Sequence, residues 1–365
     1  MKNKRPASLI LNGVHHTIDV VWDGLNEVYT QTQHGKSLSE FLKLWADSSD
    51  YLQVKTSGST GIPKVIRLNK DDMVASAEMT AAFLGLKPGL NALLCLSTDY
   101  IAGMMMVVRA MVSGMQLILV QPSGNPLLHL PTGGRIDFAA MVPAQVFSAL
   151  NNPQSKLLLE GIGTLIIGGA AINQNLEEQL MEMPGSIYAT YGMTETITHV
   201  ALRKINSSGR SNWFTPLPGI HPEMDHRGCL QLSLPYGHLQ RVITNDLVEL
   251  DPEGRFRWLG RIDHIINCGG IKLIPEQIEQ KISAVSECRF FVASESDEKL
   301  GEIPVLIMEQ PNLSAEGCNT LLQKLSGVLS KHEMPRHILT IPAFLMTSSG
   351  KIDRKATQLL AVRVV

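Results

Sequence analysis

Three short apolar runs, at residues 93–97, 116–120 and 164–167, constrain the chain more than any other feature. Each is too short for a buried helix and reads as a strand covered on both faces. The stretches between them carry helical patterning. Such alternation closes as βαβ units around a mostly parallel sheet. The most apolar stretch, residues 101–120, carries Arg109 near its middle and is interrupted by Gly103 and Gly114. A membrane span would have to bury that guanidinium in lipid. A buried helix running into the strand at 116–120 is the reading instead.

The same patterning extends outward. Residues 39–47 read as an amphipathic helix with Phe41, Leu44 and Trp45 on one face. Residues 51–56 read as a strand, followed by a glycine-rich loop and a helix at 71–84. Beyond residue 211 turn residues become frequent, and LQLSLP, LVELDP and RFRWLG read as short antiparallel strands, with a hairpin signal at 251–255. A boundary is placed near Gly260. The remainder alternates helix (275–285, 316–330) with strand (288–293, 304–308). The expectation is an α/β protein. A large domain over 1–260 has mostly parallel sheets flanked by helices plus a small antiparallel β-subdomain. A small mobile α+β domain follows over 261–365.

Composition excludes several classes. Lysine and arginine total 32 against 34 acidic residues, with no basic block, so nucleic acid is not an expected partner. The five cysteines, Cys95, Cys229, Cys268, Cys288 and Cys318, are scattered without a CxxC pair. They fit neither a disulfide framework nor a zinc knuckle and read as free thiols in a reducing compartment. The first residues lack the apolar core of a signal peptide, so a cytoplasmic protein without a membrane span is expected.

Residues 56–64 (Thr56, Ser57, Gly58, Ser59, Thr60, Gly61, Ile62, Pro63, Lys64) crowd hydroxyls and glycines between a strand and a helix. Glycines let backbone approach a phosphate closely, amides and hydroxyls donate to it, and Lys64 supplies charge. The spacing is not that of a Walker loop. Composition alone leaves a plain flexible turn equally open.

TSGSTGIPK as a string closely resembles the phosphate-loop signature of the adenylate-forming superfamily, which includes acyl-CoA synthetases, luciferases and peptide-synthetase adenylation domains. The resemblance implies that Thr56, Ser57, Gly58, Ser59, Thr60, Gly61 and Lys64 hold the β,γ-phosphates of ATP. Further segments resemble the family in the same order. IIGGAA at 166–171 would line adenine with Gly168, Gly169 and Ala170. In YGMTET at 191–196, Tyr191 and Gly192 would lie against adenine, Thr194 would donate to phosphate and Glu195 would ligate Mg²⁺. Asp246, within Thr244-Asn245-Asp246 where the family usually has Thr-Gly-Asp, would accept from the ribose hydroxyls. Arg261 would touch ribose and phosphate, Asp263 would be the hinge, and Gly269 and Gly270 would floor the CoA tunnel. In SSGKIDR at 348–354, Lys351 would enter the site from a loop. Lys351, Thr194, Glu195 and Lys64 are thus the implied catalytic residues, with ATP, CoA and Mg²⁺ required.

The chain departs from the family pattern in two places. About 55 residues precede the phosphate loop where relatives usually carry well over a hundred. Tyr100, in STDYIAG, holds the position of the usual aromatic or histidine gate. The resemblance leaves room for a homodimer. MVPAQVF at 141–147, LIIGGAAI and YGMTETITHV together look most like o-succinylbenzoate-CoA ligases of menaquinone biosynthesis. A second substrate carboxylate would need a donor, for which His199, Thr198 and Arg109 are the candidates, with Tyr100 at the pocket mouth. His199 alone reads equally well as a structural histidine. Two other functions stay open: another aryl- or short acyl-CoA ligase, and a nucleotide-binding regulatory protein without thioester chemistry.

Overall fold

A computed structural model describes residues 5–18, 32–55, 65–131, 134–236, 241–286, 288–311, 313–347 and 352–364. The loop at 56–64, with Thr56, Ser57, Gly58, Ser59, Thr60, Gly61 and Lys64, lies outside the described residues, as does Lys351.

In chain order the first elements are β1 (Ser8–Leu11), β2 (Val14–Thr17), α1 (Gln33–Ala46), β3 (Tyr51–Lys55), β4 (Val65–Asn69), α2 (Lys70–Leu84), β5 (Asn91–Leu94), α3 (Ile101–Ser113) and β6 (Gln116–Leu119). They continue as β7 (Phe138–Met141), α4 (Pro143–Leu150), α5 (Pro153–Glu160), β8 (Thr164–Ile167), α6 (Gln174–Met181), β9 (Ser186–Gly192), β10 (His199–Lys204) and β11 (Thr215–Pro216). Among the described residues nine strands form one sheet, in the order β11-β10-β9-β8-β7-β5-β6-β1-β2. Its central ladders are parallel, and antiparallel strands close both edges. The runs at 116–120 and 164–167 become β6 and β8, and the run at 93–97 overlaps β5 only at Leu93 and Leu94; all three strands are buried on both faces, as their lack of alternation requires.

The stretch at 101–120 forms α3, whose three central methionines Met104, Met105 and Met106 are buried, and then β6. Gly114, at φ +63°, ends the helix in the left-handed region where a side chain would be strained. Among the described residues no helix is long and apolar enough to cross a membrane.

One local expectation needs correction. The 56–64 loop does not lead straight into a helix: β3 and β4 pair antiparallel, with Lys55 opposite Val65, so the loop joins two strands. Helix α2 begins only after β4, where Asn69 caps it by accepting from the amides of Asp71, at 2.8 Å, and Asp72.

The antiparallel region consists of β12 (His221–Met224), β13 (Cys229–Ser233), β14 (Arg241–Leu250) and β15 (Phe256–Arg261), paired in sequence order. Next come β16 (Ile266–Cys268), β17 (Ile271–Leu273), α7 (Pro275–Ile282), β18 (Phe290–Asp297), β19 (Gly301–Glu309), α8 (Ala315–Ser326), β20 (His337–Ile341), α9 (Arg354–Leu360) and β21 (Val362–Arg363). These last strands share a separate sheet. Alternation along β18 and β19 sends Val292, Leu306 and Met308 to a cluster with Ile278, Ile282 and Leu325, and Phe291, Val305 and Ile307 to one with Leu339 and Phe344. Neither cluster includes a residue before Ile266. At Gly260 the two parts touch: an added Cβ would lie 2.5 Å from Glu276 Oε2 and from Ile274 Cγ2.

Candidate active site

The parallel strands β5, β7, β8 and β9 all end toward one edge of the large sheet, where α/β proteins bind ligands. Gly168 follows β8 and lies against β9 so closely that a Cβ would meet Thr190 Oγ1 at 2.1 Å. Gly169, at φ +84°, and Ala170 continue outward and are exposed. Gly192 closes β9, and a Cβ there would sit 2.4 Å from His199 Cα and from the Thr198 carbonyl. Glycine at 168 and 192 is therefore a packing requirement, in that backbone and side chain approach too closely for any other residue.

Between Gly192 and β10 the backbone makes a strained reversal. Thr194–Thr196 is a single 3₁₀ turn, after which Ile197 adopts φ 69°, ψ −56°. The Thr198 amide donates back to the Thr196 carbonyl at 2.8 Å, so Ile197 centres a γ-turn of positive φ, a rare conformation for a β-branched residue. Three side-chain hydrogen bonds hold it. The Thr196 hydroxyl donates to the Thr198 carbonyl at 2.8 Å and accepts from the Met193 amide at 3.1 Å. The Tyr236 hydroxyl donates to the Thr196 carbonyl at 3.1 Å. The turn leaves Glu195 exposed and places Thr198 and His199 inside. The Glu195 carboxylate is open to solvent, and a hard oxygen donor of this kind suits Mg²⁺, which takes further oxygens from phosphate and water.

Inside the turn lies Arg109, on α3 and 2% exposed. Its Nη2 donates to Thr198 Oγ1 at 2.7 Å and faces His199 Nδ1 at 3.4 Å. Its Nε has no hydrogen-bond partner, and no carboxylate pairs with it among the described residues. Burial lowers its pKa to about 10, so the group stays charged at neutral pH. His199 Nε2 lies 3.1 Å from the Thr80 hydroxyl on α2. Burial and then the Arg109 charge hold His199 well below the usual histidine range, and it is neutral. Buried Arg109 and His199 and half-buried Thr198 thus form one group. Tyr100 stands apart from it, exposed at the N-terminus of α3.

A second group forms where β9 meets the antiparallel sheet. The Tyr191 hydroxyl donates to Asp246 Oδ2 at 2.5 Å. The ring packs edge-on against Phe256 and Phe214, with centroids 5.0 and 5.9 Å away. Burial, then the Asp246 charge, raises the Tyr191 pKa. Asp246 sits opposite Arg261 across the β14–β15 ladder. Arg261 forks onto Asp263, with Nη2 to Oδ2 at 2.7 Å and Nε to Oδ1 at 3.3 Å. Burial pushes Asp263 up, but the Arg261 bond, a backbone hydrogen bond and the Arg261 and His264 charges together outweigh it, and the carboxylate is lowered. Gly269 and Gly270, at φ +60° and +84°, form the two-residue turn between β16 and β17. Loop residues Met346 and Ile352 are bridged, and Lys351 directly precedes Ile352.

Sequence reasoning missed Thr80, Ser76, Tyr236, Phe214 and Phe256. Thr80 and His199 are 119 residues apart, and no local signal joins them.

Comparisons with known proteins agree on one family. The model of the AMP-binding enzyme family matches residues 15–222. A 2-succinylbenzoate–CoA ligase of Lactococcus lactis is 26% identical, over 90% of this chain and 75% of its own. The Escherichia coli ligase of that name is 27% identical, over 82% and 67%. Among solved structures, an acyl-CoA synthetase (AMP-forming)/AMP-acid ligase II-like protein from Dyadobacter fermentans is 37% identical, with TM-score 0.63 over 92% of this chain and 96% of that one. An o-succinylbenzoate CoA synthetase from Bacillus subtilis, solved with its acyl-adenylate intermediate, shares the fold at TM-score 0.70 and 22% identity, over 84% and 68%. The chain belongs to the AMP-binding enzyme family.

Proposed function

We propose that this enzyme is an AMP-forming acid–thiol ligase that converts o-succinylbenzoate to its CoA thioester, the step known from menaquinone synthesis. In the first half-reaction a carboxylate oxygen of the acid attacks the α-phosphorus of ATP and pyrophosphate leaves. In the second, the CoA sulfur attacks the acyl carbon and AMP leaves. The names of the Lactococcus and Escherichia relatives support this reading, as does the Bacillus structure with its acyl-adenylate. Another Bacillus structure, in complex with ATP and magnesium, supports the requirement for both.

The observation that carries the substrate is Arg109. A buried guanidinium without a carboxylate partner is costly, and a bound anion would offset the cost. An acid with two carboxylates supplies that anion: one is adenylated, and the other stays ionised against Arg109, Thr198 and neutral His199. The gate role for Tyr100 rests on the family resemblance. The Dyadobacter relative is named only as an acyl-CoA synthetase or AMP-acid ligase, and another aryl or short acyl acid is the second reading.

The remaining roles follow the same proposal. Residues 56–64, with Lys64, hold the β,γ-phosphates, and Thr194 donates to phosphate. Glu195 holds Mg²⁺, which would neutralise phosphate charge when bound. Gly168, Gly169, Ala170, Tyr191 and Gly192 line adenine, while Asp246 and Arg261 hold ribose. The large domain ends near residue 260. The small one turns about Asp263, presenting Lys351 for adenylation and the Gly269–Gly270 turn for thioester formation. The test is AMP release with ATP, Mg²⁺, CoA and a panel of acids. A rate for o-succinylbenzoate well above those for benzoate and succinate is expected. Equal rates for monocarboxylic acids would sink the assignment to Arg109.

A further inference from the structure

Thr80 lies in the middle of α2, outside every segment that carries the family resemblance. It is fully buried, and its hydroxyl has two neighbours: the Ser76 carbonyl at 3.1 Å and His199 Nε2 at 3.1 Å. A carbonyl only accepts, so the Thr80 hydrogen is committed to Ser76 and lone pairs are left to face the imidazole. His199 must then donate from Nε2. At the other end of the ring Arg109 Nη2 stands 3.4 Å from Nδ1, and a guanidinium only donates; the Thr198 hydroxyl, 3.5 Å from Nδ1, already accepts from Arg109 and has its own hydrogen to donate there. Nδ1 must therefore accept. Both ends of the relay, one on α2 and one on α3, require the same tautomer.

We propose that Thr80 is a positioning residue of the acid site: by fixing His199 as the Nε2–H tautomer it turns the Nδ1 lone pair toward Arg109 and so aims the guanidinium. The proposal rests on the reading of Arg109 as the anchor of the substrate's second carboxylate. With the proton on Nδ1 instead, an N–H would oppose the Nη2 hydrogens, leaving Nη2 with Thr198 alone. Thr80 does not touch the substrate, and its effect passes through His199.

The experiment compares Thr80→Val, which keeps the shape and loses the hydroxyl, with Thr80→Ser, which keeps the hydroxyl. Two quantities are read. Nitrogen-15 NMR of histidine-labelled protein reports the His199 tautomer, its signal assigned with His199→Gln. Steady-state kinetics report KM for o-succinylbenzoate separately from KM for ATP and from kcat. The wild type and Thr80→Ser should show the Nε2–H tautomer. Thr80→Val should lose it and raise the acid KM about tenfold, the loss of one hydrogen bond's orientation, with the ATP KM and kcat within about twofold. A wild-type Nδ1–H tautomer would overturn the proposal. So would a Thr80→Val protein with an altered tautomer and an unaltered acid KM, or one that loses kcat alone. The tautomer measurement needs no substrate. If o-succinylbenzoate proves not to be the acid, the substrate reading fails while the tautomers still decide the role of Thr80, and KM is then read on the panel acid that releases AMP.

Discussion

The Tyr191 hydroxyl donates to Asp246 Oδ2 at 2.5 Å, tying the end of β9 in the large sheet to β14 of the antiparallel sheet. The bond joins the residue assigned to adenine with the one assigned to ribose. Tyr191→Phe should keep the ring against Phe256 and Phe214 and lose only the charge-assisted bond. The expected outcome is a rise of about tenfold in KM for ATP, with the acid KM and the melting temperature little changed. Pyrophosphate exchange at varied ATP checks it. An unchanged ATP KM would separate Asp246 from nucleotide binding.

Arg109 offers a trade of stability against function. Its pKa falls from 12.5 to about 10 on folding, which corresponds to a cost on the order of 3 kcal/mol in holding the charge buried at neutral pH. Arg109→Met fills similar space without the charge. It should therefore raise the melting temperature by several degrees while lowering kcat/KM for a dicarboxylic acid by about two orders of magnitude. Calorimetry and AMP release on the same preparation test both halves. A variant less stable than wild type would mean that the guanidinium's bond to Thr198 outweighs its desolvation.

Acid should weaken the fold before the carboxylates titrate. Burial lowers the pKa of His199, His34 and His16 from 6.5. The unfolded chain takes up these protons near pH 6.5, while the folded chain resists them until lower pH. Stability is thus flat above about pH 6.5 and falls as pH drops below it. For His34 the Leu94 backbone and the Asp99 charge oppose the burial effect without cancelling it. His34→Met, outside the proposed site, should make the decline in melting temperature between pH 7 and 5.5 shallower. Identical slopes in variant and wild type would remove His34 from this account.

The two half-reactions should separate in the Lys351→Ala variant. Lys351 is expected to stabilise charge at the α-phosphate during adenylation and to have no part in thiol attack. The variant should lose acyl-AMP formation by two orders of magnitude or more, and still convert supplied acyl-AMP to the thioester. Asp263→Pro should impair both assays, because it fixes the dihedral proposed as the hinge and breaks the fork from Arg261. Equal loss of both activities in a folded Lys351→Ala protein would contradict the two-orientation scheme.

The sequence by itself determined the fold class and some of the strands, β6 and β8 among them, because an apolar run such as 164–167 is a local property that tertiary structure had only to bury; β1, β2, β7, β9 and β10 gave no such reading. It also determined the family, since each resembling segment is a contiguous string. Element ends were less legible. Helix α1 begins at Gln33, six residues before its apolar face becomes regular, because Thr32 caps it by accepting from the Gly35 amide. Helix α7 stops at Ile282, where the Ser283 hydroxyl turns back to the Gln280 carbonyl at 2.7 Å. Strand β4 escaped notice because Val65 and Ile66 are not deeply buried, and their strand is defined by pairing with β3. The sequence names Arg109, Thr198 and His199 as candidates for the proposed acid site, and tertiary structure decided how they meet. The Thr80, His199, Arg109 and Thr198 contacts cross up to 119 residues, and Tyr236 joins them through the Thr196 carbonyl. Hydrogen bonds are short and directional, so their partners are chosen by where the backbone brings two groups within about 3 Å, and a linear pattern of residue types carries no trace of that meeting.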